Sequence, residues 1–136
     1  MSEITLEVLH LAVKTVEDAL DDYRFAENEN SRLLLSVRDG AIQRFEVAMD
    51  ATRQLLIRIL KEKYALDEAA AKRGWIREAA KLGMISDAEV WFGFLSARDR
   101  TSHPYDSKTA NEVFAQIPLF LDHARDLLKL LPRHVA

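Results

Sequence analysis

Six side chains, Leu6, Leu9, Val13, Val16, Leu20 and Tyr23, recur at alternating steps of three and four. Only an α-helix brings such positions onto one face, so the spacing predicts a helix over about residues 3–26 with one buried stripe. A second stripe runs through Ile42, Phe45, Met49, Thr52, Leu56 and Ile59, and Ala41, Ala48 and Leu55 widen it. It predicts a helix over roughly 32–64, buried on a broad face and locally weakened at Gly40. Between the two stripes, Glu27-Asn28-Glu29-Asn30-Ser31 has no period and reads as a loop. A short polar connection between two long amphipathic helices dictates an antiparallel pair.

The remainder of the chain continues the helical pattern. Ala65 to Arg73 is Ala-rich and charged with a poor apolar period, and a short helix follows around Trp75, Ile76, Ala79 and Leu82. Gly83 stands where a left-handed glycine ends such a helix. Ser86-Asp87-Ala88-Glu89 matches a capping box, with Ser86 as cap and Glu89 reaching back. The helix it starts carries Trp91, Leu95 and Arg98 at steps of four and three, so Arg98 extends an apolar stripe. Pro104 disfavours helical geometry at His103 and ends this helix by about Ser102. Asp106 or Ser107 can cap the last helix. Its stripe is Val113, Ile117, Phe120, Ala124, Leu127 and Leu131; Pro118 should kink or split it, and Pro132 ends it.

These elements predict an all-α protein, an up-and-down bundle of four main helices plus one short one. They form a single domain over 1–136 with its core at about 3–131. Only four Gly and three Pro against 49% apolar residues argue against a many-turned β fold. No apolar run reaches the length of a membrane span, and the first residues lack a secretory pattern. With no cysteine, these features predict a cytoplasmic protein without disulfides or thiolate metal sites. A net charge of −3 is not that of a non-specific nucleic-acid binder, so any RNA must be drawn to a local basic site or a second subunit.

Reactive groups concentrate in Arg98-Asp99-Arg100-Thr101-Ser102-His103-Pro104-Tyr105-Asp106, at the junction of two helices. An imidazole moves protons near neutral pH, and a guanidinium suits a phosphate clamp. The combination points to phosphodiester chemistry. Arg98 can equally tie its helix to the bundle through an ion pair with Glu46 or Asp39, and the two roles are compatible. His10, His123 and His134 show no ligand spacing, and His134 falls in a tail expected to fray. No metal or cofactor site is predicted.

Over residues 98–105 the sequence resembles the HEPN superfamily, whose signature is Arg, four to six residues, then His. Only Arg98 and His103 meet that spacing here. The longer form Arg-x4-His-x-Tyr, met by Arg98, His103 and Tyr105, is similar to that of HepT-like toxins, also described as nucleotidyltransferase substrate-binding proteins. Arg38-Asp39-Gly40-Ala41-Ile42-Gln43-Arg44-Phe45-Glu46, Trp75-Ile76-Arg77-Glu78-Ala79, and Gly83-Met84-Ile85 with Trp91 ahead of the arginine, agree with the same subfamily. The resemblance spans about residues 5–130.

It implies a helical bundle that forms a homodimer, with two Arg/His motifs in one interfacial cleft and metal-independent RNA cleavage. It further implies a cognate minimal nucleotidyltransferase (MNT) antitoxin that silences the toxin by attaching AMP to Tyr105. In those terms Arg98 and His103 are catalytic, and Asp99, Arg100 and Ser102 support them or the substrate phosphate. Asn often follows the arginine in these proteins, whereas here Asp99 does. Its carboxylate repels a phosphate unless Arg98 or Arg100 neutralises it. The competing reading is a non-catalytic substrate-binding or regulatory subunit of a partner nucleotidyltransferase.

Overall fold

A computed structural model describes residues 3–67, 73–101 and 106–136. Among these the chain forms seven helices and no strand: α1 Glu7–Asn28, α2 Leu34–Tyr64, α3 Gly74–Lys81, α4 Ala88–Arg100, α5 Ser107–Ala115, α6 Ile117–Leu130 and α7 Pro132–Val135. The all-α bundle is as the periodicity predicts. Two details differ in number. Pro118 splits the last long helix, because α6 restarts with proline in its first turn, where the missing N–H costs nothing. Beyond Leu131 the chain makes one further short helix, α7, begun by Pro132.

The 31-residue α2, about 46 Å long at 1.5 Å per residue, is the spine. It packs against α1, α3, α4, α5 and α7, while α6 lies along α1. Every predicted α2 stripe residue, Ile42, Phe45, Met49, Thr52, Leu56 and Ile59, is buried. So are Leu9, Val13, Val16 and Leu20 of α1, and Ile117, Phe120, Ala124 and Leu127 of α6. The centre is aromatic. Phe120 stands edge-on to Phe45, Trp91 and Phe94, with ring centroids 5.1, 5.9 and 5.5 Å away. Among the described residues, no helix is long and apolar enough to cross a membrane.

Local signals set several helix ends. At Gly83 φ is +79°, and the Met84 and Gly83 amides donate to the Ala79 and Ala80 carbonyls, the double bond of a Schellman stop. Ala65 takes the left-handed conformation after α2 without being glycine. The α4 cap departs from expectation: Asp87, not Ser86, accepts from the Val90 amide, and Ser86 donates to Asp126 instead. A carboxylate at the cap takes the amide two or three residues on more strongly than a hydroxyl, because the bond is charge-assisted. The α4 seam is also rotated. Trp91, Phe94 and Ala97 are buried while Leu95 and Arg98 lie on its flank, since Phe94 turns into the Phe120 cluster.

Another correction concerns the C-terminus. His134 does not fray; it is buried on α7 and shares a hydrogen bond between its Nδ1 and the Tyr64 hydroxyl. Tyr64 closes α2, so this pair fastens the last helix to the end of the spine.

Candidate functional site

Three elements converge where α4 ends: the N-terminal half of α2, the last turn of α4 and the start of α5. Arg98 and Arg100 occupy the last turn of α4, where cations complement the helix dipole, and Thr101 is its C-cap. The Thr101 hydroxyl donates to the Arg98 carbonyl at 2.7 Å and accepts from Arg98 Nη1 at 3.0 Å. It thereby both closes the helix and steers the guanidinium. Asp106 caps α5, accepting from the Lys108 and Thr109 amides and the Thr109 hydroxyl. Those Thr109 and Lys108 bonds hold its carboxyl below the usual carboxylate range.

Arg98 faces α2. Its Nε and Nη2 donate to the two oxygens of Asp50 at 2.9 and 3.0 Å, a bidentate fork. Its Nη1 sits 3.2 Å from Glu46 Oε2. Of the two ion-pair partners read from the sequence, Glu46 holds and Asp39 does not. Asp39 instead accepts from Arg38. The bond to Asp50, against a smaller desolvation cost, raises the Arg98 pKa further, helped by Glu46 and Asp99. Glu46 and Asp50 are four residues apart on α2, a like-charge spacing that destabilises a helix unless a cation bridges it. Arg98 is that cation.

Beside this fork lies a cleft of about 320 Å³. Arg100 and Thr101 form one wall, Asp39, Gln43 and Glu46 of α2 the opposite one, and Ile42 and Val113 part of the lining. Arg100 also pairs with Glu112 at 2.8 Å. Asp99 is exposed in the same last turn. Of the residues singled out in the sequence, Arg98, Asp99 and Arg100 thus belong to one helical turn, whereas Ser102, His103 and Tyr105 lie outside the described residues.

Sequence reasoning gave no role at the site to two participants. Asp50 is the main partner of Arg98, and the signal was its i,i+4 spacing from Glu46. Arg38 is only 4% exposed and extends the α2 stripe one step before Ile42, just as Arg98 is expected to extend that of α4. Its Nη1 donates to Asn111 at 2.9 Å, fastening α5 to α2 below the cleft. Chemically, the site is a pre-oriented guanidinium whose donors already hold two carboxylates. A phosphate offers the same oxygen geometry as Asp50 and must displace it to bind.

The model of the nucleotidyltransferase substrate binding protein like family matches residues 5–133. The chain is 29% identical over 135 residues to a probable ribonuclease HepT of Haemophilus influenzae, covering 95% of this chain and 92% of that protein. Among solved structures it is similar to HI0074 from the same species, described as revealing the fold of a substrate binding domain of a nucleotidyltransferase. The TM-score is 0.80 at 28% identity, over 93% of this chain and 98% of that one. A protein from Thermus thermophilus is also similar, with TM-score 0.63 and 30% identity over 89% and 99% of the two chains.

Proposed function

This chain belongs to the nucleotidyltransferase substrate binding protein like family, and from that premise we propose that it is a metal-independent endoribonuclease of the HepT type. Arg98 clamps the scissile phosphate. His103 takes the proton of the 2′-hydroxyl, whose oxygen attacks phosphorus while the bond to the 5′-oxygen breaks. A second imidazole, His103 of the other copy in a homodimer, protonates the leaving 5′-oxygen. The products are a 2′,3′-cyclic phosphate and a 5′-hydroxyl. The guanidinium stabilises the charge that grows on the equatorial oxygens. Arg100 and Ser102 support the phosphate, and Asp99 sets the local charge. AMP attached to Tyr105 by a cognate MNT-type nucleotidyltransferase antitoxin places bulk and negative charge two residues from His103 and silences the toxin, in the cytoplasm.

The observation that carries the reading is Arg98, oriented by Thr101 at the end of α4, five residues before the only histidine at the motif's spacing. Similarity to a protein named a probable ribonuclease supports it. A second reading, a non-catalytic substrate-binding or regulatory subunit of a nucleotidyltransferase, is favoured by how completely Asp50, Glu46 and Thr101 engage that guanidinium.

RNA cleavage by the purified, partner-free protein in EDTA, beside His103→Ala, separates the two. Cleavage that leaves cyclic phosphate ends and falls roughly 100-fold or more in the variant is expected of the nuclease. Equal inertness of parent and variant, with Tyr105 shown by mass to be unmodified, makes the chain a binding subunit.

A further inference from the structure

The Glu46–Asp50 pair on α2 is two like charges four residues apart, resolved by a counter-ion from α4. A pair of opposite sign stands at the neighbouring helix, and among the described residues it has no counter-ion. Arg73, the residue before α3, and Arg77 within it are four apart and both exposed. Their guanidinium carbons lie 5.5 and 5.4 Å from the centroid of one ring, Phe92 of α4. Arg73 Nη2 also reaches Ser96 Oγ at 3.5 Å. Among the described residues, neither arginine has a carboxylate within ion-pair distance. This contrasts with Arg38, Arg98, Arg100 and Arg125, all of which have one.

Two effects make this arrangement unfavourable for the free protein. Cations at i and i+4 repel, and Arg73 sits at the positive end of the α3 dipole. Cation–π attraction to Phe92 offsets part of that cost and holds both guanidinium groups against one ring. An anion between them would relieve both effects. The ligand class follows from the chemistry of the surface: guanidinium N–H groups take phosphate oxygens, and the outer faces of guanidinium planes, backed here by the Phe92 ring, stack on unpaired bases.

Half of the surface shares a helix with Arg98. Phe92 and Ser96 are on α4 itself, so the patch begins about 9 Å and ends about 3 Å before Arg98 along the helix axis. It faces outward while Arg98 flanks the buried seam, so a strand reaching both must curve around the helix.

We infer that Arg73, Arg77, Phe92 and Ser96 form a docking surface for single-stranded RNA, holding the strand on one side of the phosphate that Arg98 clamps. This rests on the nuclease reading above. It also answers the charge problem of a chain with net charge −3, because attraction is local and does not require a basic protein overall.

The test uses a short fluorescein-labelled oligoribonucleotide, His103→Ala protein to prevent turnover, and anisotropy titrations at several salt concentrations. Adding Arg73→Ala and Arg77→Ala should weaken binding about tenfold or more and flatten the salt slope by roughly 1.4, at about 0.7 for each phosphate no longer neutralised. Arg73→Lys with Arg77→Lys should keep the slope but lose part of the affinity, since charge remains and the planar faces do not. In the active protein the alanine pair should raise KM for RNA and leave kcat. Unchanged affinity and slope, while His103→Ala still abolishes cleavage, overturns the docking surface and leaves the nuclease. If the double variant instead loses the partner nucleotidyltransferase with RNA binding intact, the patch is a protein interface and the inference is wrong. A parent that neither binds nor cuts RNA removes both readings.

Discussion

Replacing Asp50 by Asn should move stability and phosphate affinity in opposite directions. Asp50 accepts both Nε and Nη2 of Arg98 at 2.9 and 3.0 Å. Its side chain is 51% exposed, which places the pair among screened surface ion pairs worth about 0.5–1 kcal/mol, with the bidentate geometry favouring the upper end. For a domain of this size, a loss near 1 kcal/mol lowers Tm by about 2–4 °C. The same carboxylate occupies the donors that a phosphate needs. Removing its charge should therefore tighten binding of an uncleaved oligoribonucleotide by up to about fivefold, the equivalent of about 1 kcal/mol. Glu46, 3.2 Å from Nη1, still holds the guanidinium in place. Thermal unfolding by circular dichroism and anisotropy titration of Asp50→Asn against the parent provide the two readings. A variant that loses stability and RNA affinity together would reverse this assignment. Asp50 would then be an orienting group that Arg98 needs, not a competitor for the phosphate.

Other changes test the scaffold. Phe120→Ala removes the ring shared by Phe45, Trp91 and Phe94 and should cost about 3–5 kcal/mol, read as a denaturant midpoint shift at constant m. The Asp106 carboxyl is held low by Thr109 and Lys108, so its contribution is present above an unfolded pKa of about 3.9 and is lost as pH falls through the lower folded value. Asp106→Asn should flatten that acid limb in thermal melts. His134 is held below its ordinary pKa by burial, and then by Arg133. The unfolded chain binds its proton first, so this stability is complete above about pH 6.5 and is lost as pH falls through the lower folded value. His134→Phe should remove that slope. Tyr64→Phe strips the Nδ1 partner and should cost about 1–3 kcal/mol.

The parts of the fold that the sequence discloses are those set by repeated spacing. The α2 and α6 stripes are buried as read, and that of α1 is except at its ends, Leu6 and Tyr23, which are half-buried, because a three-four step admits one helical face and many residues vote for it. Gly83 and Asp106 are legible for a different reason: each end is decided by one residue's own chemistry. The α4 seam is not legible, because thirteen residues supply few votes, and the competition between Leu95 and Phe94 is settled by Phe120, which lies in another helix. His134 is misjudged as a frayed tail on the same ground, since its partner Tyr64 is seventy positions away. At the site, Arg98 and Glu46 are visible as an oddity on a stripe and a carboxylate of fitting reach. Asp50 and Arg38 obey the same two rules, each one helical turn further along α2 from a residue already singled out.

Both tryptophans of the chain are sealed in the core: Trp75 is 0% and Trp91 1% exposed. Trp91 packs edge-on against Phe94, with ring centroids 5.2 Å apart, and among the described residues the Trp75 indole N–H has no hydrogen-bond partner. The folded protein should therefore emit at the blue end of the tryptophan range with little accessibility to iodide, and unfolding should shift it red. The indoles lie on α3 and α4, the helices that present Phe92 with its two arginines and Arg98. Trp75→Phe and Trp91→Phe would split the emission helix by helix. The molecule thus carries its own light source on each side of that junction, and a strand that moves α3 against α4 becomes visible without a label.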